Sequence, residues 1–425
     1  MPIPPDFRTR LYPHLPAIEK HFGTPYHIYD ERGIRQTARA IQRAFIHFHY
    51  LEYFAVKALP NPRVLTILRE EGCGFDCSSV AELILSRSVG ASGDDIMFTS
   101  NNTSRDDFAM ALADGGSIIN VDDVSLLDNL PQLPERISFR VNLGTETGNT
   151  IIGAPQEAKF GVPRHKIIDA YREAQARGIT RFGLHTMVVS NERDYQVHLA
   201  SVKMLCQIGD ELREQLGIQL EFINIGGGLG VPYHPDDSPL DLDALATGIH
   251  ALWQEYNLQD VALFTEAGRY MTAPHGVLVT KAINRKASYR TYIGVDANMS
   301  ALMRPGMYGA YHHIEVVKNG RSVSALTEVE KLETVDVVGA LCENNDKFAI
   351  QRDLPKIDRG DFLVIHDTGA HGHAMGFNYN GRLRPQELLL REDGTIQRIR
   401  RAETLRDYFA TLDFEPAHFT LSEKE

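Results

Sequence analysis

Between residues 31 and 280 the chain alternates between two textures. Short runs rich in β-branched and aromatic residues occur at 50–56, 74–76, 96–99, 117–121, 137–141, 182–186, 222–225 and 261–265. Stretches of helical period lie between most of them, at 62–71, 81–89, 165–177, 195–216 and 240–256. Parallel strands cannot be joined by a tight turn, and the usual crossover is a helix. Eight such units over about 250 residues fit an α/β fold of the (β/α)8, TIM-like barrel type. An open doubly wound sheet is the other arrangement, and strand count favours the barrel.

After about residue 281 helical patterns nearly vanish. Short alternating runs appear at 292–295, 334–338, 362–366 and 388–391, which predict a mostly antiparallel β domain. The run 25–29 is strand-like and precedes the barrel, so it can join that sheet. The expected division is a barrel over 31–280 and a β domain built from 1–30 plus 281–425, with a helical tail at 404–412. A chain of 425 residues is long enough for two such cores.

Composition narrows the function classes. A hydrophobic content of 43% with 24% charged residues is ordinary for a globular protein, and a net charge of −12 argues against a nucleic-acid surface. No apolar run reaches the roughly 18 residues of a membrane span. Met1-Pro2-Ile3-Pro4-Pro5 lacks the basic start and apolar core of a secretory signal. The four cysteines are Cys73, Cys77, Cys206 and Cys342. The first two are spaced as metal ligands can be, but no matching pair follows, so no metal is expected. These features fit a cytoplasmic protein in a reducing compartment.

Within the first strand–helix unit, Tyr53-Phe54-Ala55-Val56-Lys57-Ala58 is a buried-strand pattern that ends in lysine. Burying an ammonium without a partner costs several kcal/mol, so such a lysine is expected to have a depressed pKa. A neutral lysine amine is the nucleophile of Schiff-base chemistry. The bland alternative is a lysine snorkelling into solvent from a strand end.

Other capable residues fall where strands end, the catalytic face of a barrel. Gly226-Gly227-Gly228-Leu229-Gly230 follows the run 222–225, and glycines there let backbone N–H groups approach a phosphate, though a tight turn also needs them. His185 closes another run, where its ring can stack on a flat ligand. Glu266-Ala267-Gly268-Arg269-Tyr270 follows 261–265 and offers a carboxylate for a ring nitrogen and an arginine for a phosphate or carboxylate. Asp76-Cys77-Ser78-Ser79 ends a further strand, and both serines read as N-caps of the next helix. Later in the chain, Cys342-Glu343 sets a thiol beside carboxylates, which would raise its pKa and suit it to proton donation. The segment 369–380 is rich in glycine and ring-bearing residues. Its histidines lack a carboxylate at helical spacing.

In chain order, Phe54-Ala55-Val56-Lys57-Ala58, Gly74-Phe75-Asp76, Lys159-Phe160-Gly161, His185, Gly226-Gly227-Gly228, Glu266-Ala267-Gly268-Arg269, Arg304-Pro305-Gly306-Met307-Tyr308, Cys342-Glu343, and Asn378-Tyr379-Asn380 with Pro385 and Glu387 form a series. The series resembles the fold type III pyridoxal phosphate-dependent decarboxylases, and most nearly the diaminopimelate decarboxylase family. It runs from Thr24 to Glu387.

The resemblance implies the barrel and β domain already read. It implies that Lys57 carries pyridoxal 5'-phosphate through a Schiff base, that His185 stacks on the ring, and that Glu266 pairs with the ring nitrogen. The backbone of Gly226, Gly227 and Gly228 and the pair Gly268-Arg269 would hold the phosphate, and Asp76 would support the ring region. Cys342 would reach in from the second subunit of a homodimer with shared sites and reprotonate the substrate carbon. Arg269, Arg304, Tyr308, Glu343 and Tyr379 would meet a small diamino acid. An arginine at the far end suits a carboxylate, which points to meso-2,6-diaminopimelate as substrate and L-lysine as product. Ornithine, arginine or lysine decarboxylases of the same fold, an amino acid racemase and a non-catalytic homologue are the alternatives.

Three positions depart from the family pattern. His185-Thr186-Met187-Val188 stands where His-Ile-Gly-Ser is usual, so the phosphate-contacting serine is replaced, with Ser190 a candidate substitute. Gly369-Ala370-His371 replaces Gly-Ala-Tyr, and His371 is expected to donate a hydrogen bond to phosphate or substrate. Ala267 replaces a proline, a change expected to matter little.

Overall fold

The computed structural model describes residues 3–113, 115–144, 157–323 and 332–414. Eight parallel strands close into a ring: β1 (Tyr50–Ala55), β2 (Gly74–Cys77), β3 (Gly93–Ser100), β4 (Ser117–Val121), β5 (Arg136–Asn142), β6 (Arg181–Thr186), β7 (Leu220–Asn224) and β8 (Ala262–Thr265). β8 pairs back onto β1 with Thr265 opposite Glu52, which excludes the open sheet. The eight strand runs expected from the sequence are the eight barrel strands.

Tyr53, Met97, Ile118 and Phe222 pack inside the ring with Leu51, Ala262 and Phe264 against them. Two facing glycines make room for these rings. A Cβ on Gly183 would fall inside the Phe222 ring, and one on Gly74 would lie 2.9 Å from Tyr53 Cδ1. By the two-residue period of a strand, the next inward layer toward the C-terminal ends holds Asp76, Thr99, Asn120, His185, Asn224 and Glu266. The barrel plug is therefore apolar below and polar at its mouth.

The outer helices follow from capping and periodicity. Tyr195–Leu216 starts at Asp194, whose carboxylate accepts from Gln196 N–H, and stops at Gly217 in the left-handed region (φ 69°). It buries Val202, Leu205, Ile208 and Leu212 against the barrel. Val80–Ser88 is capped by Ser79, which accepts from Glu82 N–H. Ser78 does not cap it; its N–H and hydroxyl both donate to the Glu82 carboxylate, at 2.7 and 3.0 Å.

The second sheet has ten strands. Strand Tyr26–Asp30 lies in it, antiparallel to Gly276–Ala287 and parallel to Gln386–Leu390. Thr291–Val295 also pairs parallel with Leu332–Val338, and the other described pairings are antiparallel. The chain enters this sheet from β8 through the short helix Arg269–Thr272 and the turn Ala273–His275. The expected tail helix is one turn, Leu405–Tyr408. Among the described residues no helix is long and apolar enough to cross a membrane.

Two contacts seat the second sheet on the barrel mouth. Glu387 is buried and accepts from Tyr29 Oη (2.6 Å), from Asn61 Nδ2 (3.1 Å) and from Arg400 Nε. Asn61 caps the helix that follows Lys57. The N–H of His371 donates to Ala58 O at 2.9 Å.

Candidate active site

Lys57 sits in a single 3-10 turn, Val56–Ala58, directly after β1. Its Nζ lies 3.6 Å from Asp76 Oδ2, and its side chain is 54% exposed at the barrel mouth. The depressed pKa expected from burial is reversed. Desolvation pulls the amine down, but the carboxylates of Asp76, Glu266 and Glu82 outweigh it and raise the value. Asp76 is itself pushed up to about 7, by burial and then by Glu266, against the pull of Lys57. The lysine is therefore held by carboxylates rather than stripped of its proton by an apolar wall.

Across the mouth, Glu266 Oε2 is 3.0 Å from His185 Nε2, and Glu266 Oε1 accepts from Asn224 Nδ2 at 2.7 Å. Burial would raise Glu266, but His185, Lys57 and Asn224 hold it below the usual carboxylate value, so it stays ionised. Asn224 also accepts the Gly226 N–H at 2.8 Å, which ties the acid to the glycine run. Asn224 was not singled out by sequence. The signal was its place, two residues past inward-facing Phe222.

Gly226 and Gly228 have φ of 73° and 86°. Side chains on Gly226, Gly227 and Gly228 would strike the carbonyls of Thr186, Glu266 and Val189. The run is thus wedged between the loops after β6 and β8 and has to be bare. On the facing side, a Cβ on Gly268 would come within 2.7 Å of Ala58 Cβ. Met187, at one of the departures, places Sδ 3.2 Å from the Gly227 N–H.

Beside the cradle lies a cationic recess. Arg269 Nη1 donates to Tyr233 Oη at 2.7 Å, and the Arg304 guanidinium lies 4.6 Å over the Tyr233 ring. Arg304 opens the helix Arg304–Tyr308, is 5% exposed, and forms no ion pair among the described residues. His371, in the left-handed region (φ 55°), is held well below the usual imidazole value by burial and by Arg269, Arg304 and Lys57. Tyr233 was missed by sequence although it follows the glycine run closely. Arg140 was missed too; it stands at the mouth, 4.4 Å over the Phe160 ring, with Nη2 donating to Met187 O at 3.2 Å.

The remaining expected site residues are not brought to Lys57 by any described contact within one chain. Cys342 is exposed, with its N–H donating to Asn380 Oδ1 at 2.7 Å. Glu343 lines a concavity of about 610 Å³ between the loop near 339–346 and the strands near 284–295. Tyr379 and Tyr308 are 46% and 37% exposed. Helix Arg304–Tyr308 links the two places: Arg304 turns inward, while a Cβ on Gly306 would lie 2.5 Å from Asn345 O in the Cys342 loop.

A barrel mouth with a lysine, a bare glycine cradle and an ionised acid paired to imidazole defines an enzyme that works through a phosphorylated ring cofactor. Residues 31–273 match the pyridoxal binding domain of the pyridoxal-dependent decarboxylases. The chain is 47% identical over 418 residues to Protein TabA of Pseudomonas amygdali pv. tabaci, covering 98% of this chain and 97% of that protein. It is 38% identical over 401 residues to a diaminopimelate decarboxylase of Methanothermobacter thermautotrophicus, covering 92% of each. The crystal structure of diaminopimelate decarboxylase from Helicobacter pylori complexed with L-lysine matches with a TM-score of 0.85 at 28% identity, covering 93% of this chain and 98% of that one. The chain belongs to the pyridoxal-dependent decarboxylase family, and its cofactor is pyridoxal phosphate. The residues fit that group. Besides the cradle, the mouth holds buried polar atoms, Asp76 Oδ1 and His185 Nδ1, that have no hydrogen-bond partner among the described residues.

Proposed function

We propose that this chain decarboxylates meso-2,6-diaminopimelate to L-lysine and CO2. The observation that carries this reading is Arg304, a buried guanidinium with no carboxylate partner among the described residues. A buried unpaired charge is costly, and a substrate carboxylate is the anion that would relieve it. Bound pyridoxal phosphate supplies the electron sink for the carbanion left when CO2 departs.

The chain's own part is orientation and electrostatics. Lys57 would hold the cofactor covalently, and Glu266 would keep its ring nitrogen protonated. His185 would cover one ring face. The Gly226–Gly228 backbone, Gly268 and Arg269 would cradle the phosphate, and His371 would donate to it or to the substrate. Asp76 would steady the Lys57 amine. Arg304 would fix the distal carboxylate. Tyr308 and Tyr379, exposed in one chain, together with Glu343 and Cys342, would complete the site of a partner subunit in a two-fold homodimer. There, Cys342 of the partner subunit would return the proton to the substrate carbon.

The test is CO2 release by the cofactor-loaded protein with meso-diaminopimelate, L-lysine, L-ornithine and L-arginine side by side. Turnover of diaminopimelate alone is expected. Preferred turnover of a basic amino acid would overturn the pocket reading and leave the family intact.

A further inference from the structure

The Arg304 guanidinium is steered by a histidine where a carboxylate would be the commoner partner. Arg304 Nη1 lies 2.8 Å from His312 Nε2, and His312 Nδ1 lies 2.7 Å from the carbonyl oxygen of His366. A carbonyl only accepts, so Nδ1 carries the proton and Nε2 presents its lone pair to the arginine. The imidazole is completely buried. Its backbone is anchored as well, because Arg352 Nη1 donates to His312 O at 2.7 Å. Its ring meets Tyr233 edge-on at 5.2 Å between centroids, the same tyrosine that Arg304 overlies.

Charge explains the choice of residue. Burial, then Arg304, Arg269 and Arg352, hold His312 well below the usual imidazole value, so it is neutral. Asp367, the one carboxyl that acts on Arg304, forms no ion pair with it among the described residues, and burial raises it well above the usual carboxylate value. The direct partner that orients Arg304 is thus an uncharged acceptor. A carboxylate at position 312 would form a charge-assisted pair with it and compete with any anionic ligand.

We propose that His312 is a specificity-determining positioning residue: a tautomer-fixed neutral acceptor that aims Arg304 at the distal carboxylate of the substrate while leaving its full charge for that carboxylate. This rests on the reading of Arg304 given above.

The test compares four cofactor-loaded variants, His312→Glu, His312→Phe, His312→Gln and Arg304→Ala, by kcat and KM for meso-diaminopimelate and by the inhibition constant of 1,5-diaminopentane, the same diamine skeleton without either carboxylate. With His312→Glu, KM for diaminopimelate is expected to rise about ten-fold or more. The 1,5-diaminopentane constant should stay within about two-fold. His312→Phe keeps the ring volume but removes the acceptor, so KM should rise here too; this variant decides the matter if the glutamate does not fold. His312→Gln offers a neutral carbonyl acceptor and should restore KM to within about three-fold. An unchanged KM in His312→Phe, or an equal rise in both constants, would overturn the role of His312. A KM untouched by Arg304→Ala would instead overturn the diacid reading beneath it.

Discussion

The carboxylate of Glu52 accepts the backbone N–H of Ala267 at 2.7 Å, bridging β1 to the segment that carries Glu266, Gly268 and Arg269. The same carboxylate takes the Thr265 hydroxyl, and Tyr50 Oη sits 2.6 Å from Thr265 Oγ1. Glu52 is buried, and burial pushes it up to about 8. Ala267 stands at the position where related motifs carry proline, which has no N–H to give. The Ala267 N–H supplies the donor that a buried acid takes up, a bond that proline at this position would remove. Ala267→Pro is expected to cost about 1–3 kcal/mol by leaving that acceptor bare. Glu52→Leu should cost a similar amount, and the double variant less than the sum. Chemical denaturation measures all three, and strict additivity would remove the coupling.

Asn224 joins Glu266 to the glycine run through its two side-chain atoms. Asn224→Leu keeps the volume and breaks both bonds. Pyridoxal phosphate affinity should fall by roughly ten-fold, the equivalent of one lost hydrogen bond to a charged group. Absorbance titration of the apoenzyme gives the value, and an affinity equal to the wild type would show that Glu266 holds its place unaided.

Glu387 should make the fold acid-sensitive. Burial raises its pKa, but His373, Arg400 and the Tyr29 hydroxyl outweigh it and bring it from the usual 4.5 to about 2. The folded value lies below the unfolded one, so the contribution is full above about pH 4.5 and is lost as pH falls toward 2. Glu387→Gln should lower Tm near neutral pH and flatten the fall of Tm between about pH 5 and pH 3. A variant whose Tm falls as steeply as the wild type would place the acid sensitivity elsewhere.

Exposure of Cys342, Glu343 and Tyr379 in one chain makes a complementation experiment decisive for the shared site. Lys57→Ala and Cys342→Ala homodimers should each be inactive or nearly so. Their heterodimer holds one site with both residues intact and should regain about a quarter to a half of wild-type turnover on the two-fold arrangement. No recovery in a heterodimer verified by native mass spectrometry would show that Cys342 is not donated between subunits.

The barrel was legible because its strands are short, apolar on both faces and separated by helices, a pattern with few other solutions. Strands Gly276–Ala287, Lys347–Pro355 and Ile396–Arg400 were not read. Each has a polar stretch at the surface such as Asn284-Arg285-Lys286 or Gln397-Arg398, and such stretches are held by neighbours rather than by propensity. Residues at strand ends with distinctive chemistry, Lys57, Asp76, His185 and Glu266, announced themselves. Asn224, Tyr233 and His312 did not, because each acts through a partner brought from another element: Glu266 for Asn224, Arg269 for Tyr233 and the His366 carbonyl for His312. Charge was the least legible quantity. Burial suggested a weakened proton on Lys57, and three carboxylates from other strands and helices reverse the sign.

The strand Tyr26–Asp30 lies between partners at 276–279 and 386–390. Its parallel neighbour is distant in the chain: Tyr26 pairs with Gln386, 360 residues further on. All eight barrel strands lie between these two segments, so the ring can be complete while the edge of Tyr26–Asp30 that takes Gln386–Leu390 is still open. Closing so long a loop is slow compared with helix and hairpin formation. A state with a finished barrel and that edge unpaired would be the one most exposed to aggregation, so the long parallel pairing marks where folding of this chain is most vulnerable.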